Sequence, residues 1–365
     1  MSDVPGLVPA TVAPTRAALS DSPRAQGVWR DAWRRYRNDR LGMASLAVVL
    51  AYAVLIVMAA TGLVARDWQA EVGVPDAPPT FARTAARTEA ARGLDFTGIA
   101  PAASAPEVDI SDVDPLAPRY AEWKERAAQL TRTQRPLADT LPLGGDRLGR
   151  DVLAKAVKGT QISVSVGLLA ALVATLVGAT LGAVAGFFGG RIGDFIEWFY
   201  NVVTSVPEIL LFFAFAAVFG RGISTLVLIL GLTGWTGQYR QVRAEFIKHA
   251  RREYVRAAEA IGAGPAARMF RHILPNVSHV ILVRMSLLVV GFIKAEVILS
   301  YLGLGVATDQ VSWGTMLAES QTELILGHWW QLAAATICMA VFVTAFSLMA
   351  DAWRDALDPK LRGVE

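Results

Sequence analysis

Six long apolar runs punctuate the chain: Leu41 to Val64, Ile162 to Phe188, Phe195 to Phe219, Ile223 to Trp235, Val280 to Leu304 and Trp329 to Ala350. Lipid offers no partner for a bare peptide group. A run of this kind therefore crosses as helix, with its N–H and C=O groups paired internally, and about 20 residues cover the roughly 30 Å of hydrocarbon. The chain is 53% hydrophobic and only 18% charged over 365 residues, with a mean hydropathy of +0.39, more apolar than a soluble domain of this length tolerates. The fourth run is short and carries Gly231, Gly234 and Gly237, so it is expected to lie buried among other helices. The fold class that follows is an all-α integral membrane protein with six transmembrane helices.

Charge sets the orientation. A net charge of +3 and a pI near 9.1 could suggest nucleic acid, but the basic residues gather at the ends of apolar runs, where the positive-inside rule accounts for them and nucleic acid is discounted. Arg30, Arg34, Arg35, Arg37 and Arg40 precede the first run and place the N-terminus in the cytoplasm. Six spans then put residues 240–279, with Arg240, Arg243, Lys248, Arg251, Arg252, Arg256, Arg268 and Arg271, on the same side. Gly305 to His328 has Asp309, Glu319 and Glu323 but no Lys or Arg, as an outer connection should, and Arg354, Lys360 and Arg362 fall inside.

The expected layout is a partly disordered cytoplasmic tail over 1–40, a first span over 41–64, an external subdomain over 65–160, a five-helix core over 161–350 and a cytoplasmic tail over 351–365. Residues 1–28, rich in Pro, Ala and Ser, do not have the form of a cleavable signal peptide. The external region is proline-rich and expected to be mostly irregular, apart from a helix over Pro118 to Thr131. Cys338, a small residue inside the last run, offers no internal disulfide partner.

Within the second run, Gly178, Gly182 and Gly186 repeat at four-residue spacing. They share one helix face and let another backbone approach closely, which predicts a tight crossing. Pro207 and Glu208 interrupt the third run, and Lys294 and Glu296 sit in the fifth. Proline leaves a carbonyl of the preceding turn unpaired, and an ionisable group at depth faces protein or water rather than lipid. Glu208 and Glu296 are thus candidates for a pathway wall or an interhelix contact, with a water-accessible helix end as the alternative. Lys294 is expected to snorkel or to pair with another helix.

Residues 253–276, EYVRAAEAIGAGPAARMFRHILPN, are too polar to span lipid. Arg240 to Arg252 is expected to prolong the fourth span as helix, followed by a short helix ended by Gly262 and Gly264, a second helical turn from Pro265, and the fifth span from Pro275. Ala257, Ala258, Ile261 and Gly262 make a narrow surface rimmed by Glu253, Arg256, Glu259 and Arg268. Such an element suits a cleft on a partner or, equally on periodicity, an anionic lipid surface.

The stretch resembles the cytoplasmic "EAA" signature of ABC importer permeases, with Arg256-Ala257-Ala258, Gly262 and Ile273-Leu274-Pro275 at the signature positions. Arg256 stands where the signature has Glu, reversing the charge there. RRYRNDRLGMASLAVVL, LPLGGDRLGRDVLAKAVKGTQISVSVGL, SYLGLGV, SWGTMLAES and RDALDPKLR are similar to segments of C-type subunits of the oligopeptide/dipeptide/nickel permease family. The resemblance implies a type I importer permease fold and a heterodimer with a homologous second permease subunit. It further implies two cytosolic ATPases docked on residues 253–274, where Glu253, Arg256, Ala257, Ala258, Glu259, Gly262, Leu274 and Pro275 would form the coupling surface, and an extracytoplasmic substrate-binding protein.

No G-x-x-x-x-G-K-[ST] phosphate loop occurs, so ATP and Mg would be used by the partner subunits and no cofactor or metal is expected on this chain. His249, His272, His279 and His328 are scattered rather than clustered. Two other classes stand against the importer reading. An intramembrane enzyme would have to use Glu208 and Glu296, and a channel or scaffold would work without ATPases.

Overall fold

The computed structural model describes residues 28–82, 116, 119–129 and 137–357. The expected polar N-terminal tail, Lys360 and Arg362 lie outside these residues, as does most of 83–136. Twelve α-helices are named: α1 Val28–Asn38, α2 Arg40–Ala60, α3 Tyr120–Gln129, α4 Val152–Phe188, α5 Gly190–Thr204, α6 Glu208–Phe219, α7 Ile223–Thr233, α8 Thr236–Ala250, α9 Glu253–Ala260, α10 Leu274–Tyr301, α11 Trp313–Ile325 and α12 Trp330–Leu357.

The spine is α4, which packs along α7, α8 and α10. It has 37 residues, about 55 Å at 1.5 Å per residue, and so outruns the membrane it crosses. Asp151 starts it early, accepting a hydrogen bond from the Leu153 N–H at 2.9 Å as an N-cap does. The helix therefore begins before the apolar run of Ile162 to Phe188 does. The buried core is lined by Val166, Ala170 and Ala174 of α4, Leu226 and Leu230 of α7, and Phe292 and Ile293 of α10. The first run, α2, lies on the outer side, against α12 and the edge of α4.

By length and composition, α2, α4 and α12 each suffice to cross a membrane, and α5 with α6 passes as a fourth, broken span bent by 82°. The expected six are not reached on this criterion. α7 has only 11 residues, and α10, though 28 residues long, carries Arg284, Lys294 and Glu296 in its length.

The first helix was not expected. The tail is helical over Val28–Asn38 because it has two faces: Ala32 and Tyr36 are buried against Trp353, Ala356 and Leu357 of α12, while Trp33, Arg34 and Arg37 point outward.

Residues 65–82 and 137–151 are irregular but tied together. Isolated bridges pair Glu71 with Arg150, Gly73 with Ala138, Pro79 with Leu141 and Gly145 with Asp151. The backbones approach so closely that Gly149, at φ +75°, has no room for a side chain beside the Gly73 carbonyl. This knot covers the end of the bundle where α4 begins, together with α11 and the start of α12.

Candidate functional site

At the opposite end of the bundle, α8 runs on past the core and turns at Arg251 into α9. The turn is pinned by a 2.8 Å hydrogen bond between His249 Nδ1 and the Tyr254 hydroxyl. Burial pushes the His249 imidazole below its ordinary pKa, against the pull of Glu245, which favours the neutral ring in that bond.

α9 ends in a Schellman cap. Ala263 N–H donates to the Ala258 carbonyl and Gly262 N–H to the Glu259 carbonyl, both at 2.9 Å, with Gly262 at φ +88°. This left-handed position is open to glycine and costly for a β-carbon. A helical turn at Pro265–Ala267 and a π-turn at Arg268–Ile273 then feed into α10.

The segment has an inner and an outer face. Val255, Met269 and Ile273 pack with Ala183 of α4 and Val242 and Phe246 of α8. Ala258 belongs to this inner side at 4% exposure, which corrects the expectation that it shares the outward surface with Ala257; one residue of helix turns the side chain by about 100°. Outward stand Glu253, Arg256, Ala257 and Ile261, with Ile261 86% exposed and Phe270 64%. Leu274 is half-buried and Pro275 exposed.

Glu259 is engaged: its carboxylate lies 2.6 Å from the Arg268 guanidinium, which also stacks 5.5 Å over the Phe187 ring at the end of α4. Glu253 has no ion-pair or hydrogen-bond partner among the described residues, and it sits in the first turn of α9, where the helix dipole favours an acid.

The glycine face of α4 meets α8. A β-carbon at Gly178 would stand 2.6 Å from the Trp235 carbonyl oxygen, at Gly182 2.7 Å from that of Tyr239, and at Gly186 2.6 Å from that of Arg243. The tight crossing expected from the spacing is thus made against the helix that leads into α9. On α8, Tyr239 donates to Glu197 of α5 at 2.9 Å, and Arg243 pairs with the same carboxylate at 3.3 Å.

At membrane depth the expected acids part company. Pro207 caps α6 at the 82° break, and Glu208 lines a cavity of about 310 Å³ with Phe212 of α6 and Arg284, Leu287 and Gly291 of α10. Glu296 is placed differently. It is fully buried, accepts a 2.6 Å bond from the Ser300 hydroxyl, and lies where Ser163 of α4 accepts from the Trp313 N–H at 3.1 Å. Its burial is at odds with a water-accessible helix end. Lys294 is exposed.

Sequence reasoning missed an ionic knot at the other end. Lys155 on α4, with no exposed surface, places its ammonium 2.7 Å from Asp146 and 3.0 Å from Gln331, and also bonds Glu319 of α11. Arg150 adds a 2.6 Å bond to Asp146. Burial works against the Asp146 charge, yet Lys155 and the Arg150 backbone hold its carboxyl below the usual range. Glu323, in the same nest, is pushed up to about 7 by burial, against its bond from the Arg147 N–H. The signal was a lysine among apolar residues at a helix start, VLAKAV, with Asp146 nine residues upstream.

This architecture is an all-α bundle, with helices apolar and long enough to cross a membrane and a capped helical segment projecting from a glycine-clamped helix. Residues 178–363 match the family described as binding-protein-dependent transport system inner membrane component, and residues 27–71 match the N-terminal transmembrane domain of oligopeptide transport permease C. The chain belongs to the binding-protein-dependent transport system inner membrane component family, whose members are permease subunits of ABC importers. Over 337 residues it is 30% identical to an oligopeptide transport system permease protein of Escherichia coli K12, covering 92% of this chain and 93% of that one. It is 34% identical over 248 residues to an oligopeptide transport system permease protein of Bacillus subtilis, covering 68% and 81%. With a dipeptide transport system permease protein of the same organism it shares 33% over 219 residues, 60% of this chain and 68% of that one.

Proposed function

We propose that this chain forms half of the translocation pathway of an ATP-driven importer of short peptides, crossing the membrane six times with both termini in the cytoplasm. A homologous second permease subunit supplies the other half, two cytosolic ATPases dock on residues 253–276, and a soluble binding protein delivers cargo to the outer face built by residues 65–82 and 137–151. ATP and Mg belong to the ATPases. The peptide reading rests on the relatives, named for oligopeptide and dipeptide transport; the orientation rests on the basic residues of 240–279 and the acidic, Lys- and Arg-free connection 305–328.

One observation carries the coupling reading. The capped helix α9 presents Glu253, Arg256, Ala257 and the exposed Ile261 outward, at the end of a helix that lies backbone to backbone against α4. A push on that surface moves α8, and with it α4 and the pathway wall, as one body. Coupling of this kind needs an element whose two positions are biased by both sites, and a glycine-clamped helix pair with a rigid cap transmits displacement without absorbing it.

Co-purification tests this. The tagged permease is drawn from mild detergent as wild type and as Gly262→Arg, and the eluate is assayed for ATPase subunits. The reading expects ATPases with the wild type and their loss with the variant. A folded wild type that retains none makes α9 a lipid-facing helix and the chain a channel or scaffold.

A further inference from the structure

Arg284 lies ten residues after Leu274 on α10, about 15 Å along the helix axis and inside the apolar run. It is in contact with Gly237 of α8, where a β-carbon would collide with its guanidinium. Its Nε is buried and has no hydrogen-bond partner, and among the described residues Arg284 makes no ion pair. A cation at this depth costs several kcal/mol unless water or an anion meets it. The cavity it lines is about 310 Å³, at the small end of the roughly 300–1,000 Å³ typical of small-molecule sites. Glu208, equally without a partner among the described residues, stands in the same cavity at the helix break. The rest of the lining is apolar, with Phe212, Leu287 and Phe292 its largest side chains. Gly291 has nothing within 4 Å of where a β-carbon would be, so this face of α10 is unfilled. On the side of the coupling segment, Arg284 also lines a second cavity of about 390 Å³ with Gln241, His279 and Arg354.

Two opposite charges, both unpaired among the described residues and lining one otherwise apolar cavity, are complementary to a solute that carries both charges itself. We infer that Arg284 and Glu208 form a transit site for free-ended short peptides, Arg284 receiving the α-carboxylate and Glu208 the α-ammonium. Guanidinium binds a carboxylate through two parallel N–H donors, whereas an ammonium needs only acceptor oxygens, which the Glu208 carboxylate supplies. Side chains of the cargo would lie along the apolar wall without selection, and the second cavity with its further cations is the next station for the carboxylate. The inference rests on the importer reading above and adds to it a site within the membrane that recognises the ends of the cargo.

The test uses the complete importer in proteoliposomes, with its second permease subunit, ATPases and binding protein. The probes are radiolabelled alanylalanine, its C-terminal amide and its N-acetyl derivative. Uptake per ATP hydrolysed is measured for wild type, Arg284→Leu, Arg284→Lys and Glu208→Gln. The binding protein's own preferences are common to every variant, so comparing variants across peptides isolates the permease. Arg284→Leu is expected to lower transport of the free peptide about tenfold relative to the amide, as loss of a charge-assisted bond does, with Arg284→Lys, which keeps the charge but not the fork, recovering part of it. Glu208→Gln is expected to lower the free peptide about tenfold relative to the N-acetyl form by the same loss. Equal effects of each variant on both peptides of its pair would mean that these residues pack the helix or meet the second permease subunit, and would overturn the inference. If Arg284→Leu does not assemble, the Glu208→Gln comparison decides. A wild type that hydrolyses ATP but moves no peptide overturns the importer reading itself and the transit site with it. Peptide uptake by the wild type that is indifferent to both substitutions overturns the site alone.

Discussion

Gly182 and Tyr239 stand backbone to backbone: a β-carbon on Gly182 would come within 2.7 Å of the Tyr239 carbonyl oxygen. The contact joins α4, which lines the bundle, to α8, which carries the coupling segment, and it leaves no room for any side chain. Lipid supplies no hydrophobic drive for helix association, so this closeness is the source of the attraction. Gly182→Leu is expected to destabilise the permease by about 1–3 kcal/mol, as overpacking does. It should also reduce uptake more than ATPase binding, because the docking surface is untouched while its lever is displaced. Thermal unfolding in detergent and ATPase co-purification, measured on one preparation, check both parts.

Gly262 closes α9 with positive φ. Gly262→Ala should cost about 1–2 kcal/mol of local order, the penalty for a left-handed non-glycine residue, without adding bulk or charge. Hydrogen exchange at residues 258–264 is expected to speed up and ATPase affinity to fall. Unchanged exchange would show that the cap tolerates a β-carbon.

The two acids flanking the signature are not equivalent. Glu259 is held by Arg268 at 2.6 Å, whereas Glu253 has no partner among the described residues. With Arg256 in place of the usual acid, Glu253→Gln is expected to weaken ATPase co-purification more than Glu259→Gln. The reverse order would move the contact to the other side of α9.

Lys155 holds the opposite end together. It is fully buried beside Asp146 at 1% exposure. Lys155→Met removes one of the two cations on that buried carboxylate and leaves Arg150 at 2.6 Å as the other, so the loss is expected to stay below the roughly 3–5 kcal/mol of a fully broken buried pair. A fall in the unfolding midpoint is expected, with the ATPase contacts unaffected.

Glu323 gives this end a pH dependence. Its folded-state value is raised from an ordinary 4.5 to about 7, so between those values the folded protein keeps a proton that the unfolded chain has released. Stability is then fully present below about 4.5, falls as pH rises towards 7 and levels off above it. Asp146 acts in the opposite sense but only at lower pH, since its carboxyl is held below the usual range. Melting curves between pH 5 and pH 8 should show the decline in wild type and a flatter profile in Glu323→Gln.

The parts read correctly from sequence were those governed by local rules. Four-residue glycine spacing foretold a tight crossing on α4, though not its partner α8, Pro207 the break, and Gly262 with Pro265 the capped bend, because each signal is confined to one or two helical turns. Features set by distant neighbours were not visible. Lys155 meets Glu319 and Gln331 across 164 and 176 residues, and no periodicity announces such a meeting. Ala258 faced the wrong way in the reading for a similar reason: two adjacent alanines carry no information about which side the bundle lies on. Glu208 and Glu296 looked alike as acids in apolar runs, yet one faces a cavity and the other is sealed between helices, a difference made by Ser163 and Ser300 and by the break at Pro207.

The account turns on whether the outer face of α9 touches an ATPase. With the lone Cys338 replaced by Ser, Ile261→Cys places a single thiol on the most outward apolar side chain of the segment, and a short thiol-to-amine crosslinker is applied to the assembled complex. The account expects a covalent adduct of permease with ATPase, lost when Gly262→Arg is added. An ATPase that co-purifies with the permease but forms no adduct at position 261, while a thiol placed elsewhere on the cytoplasmic side does, would contradict it.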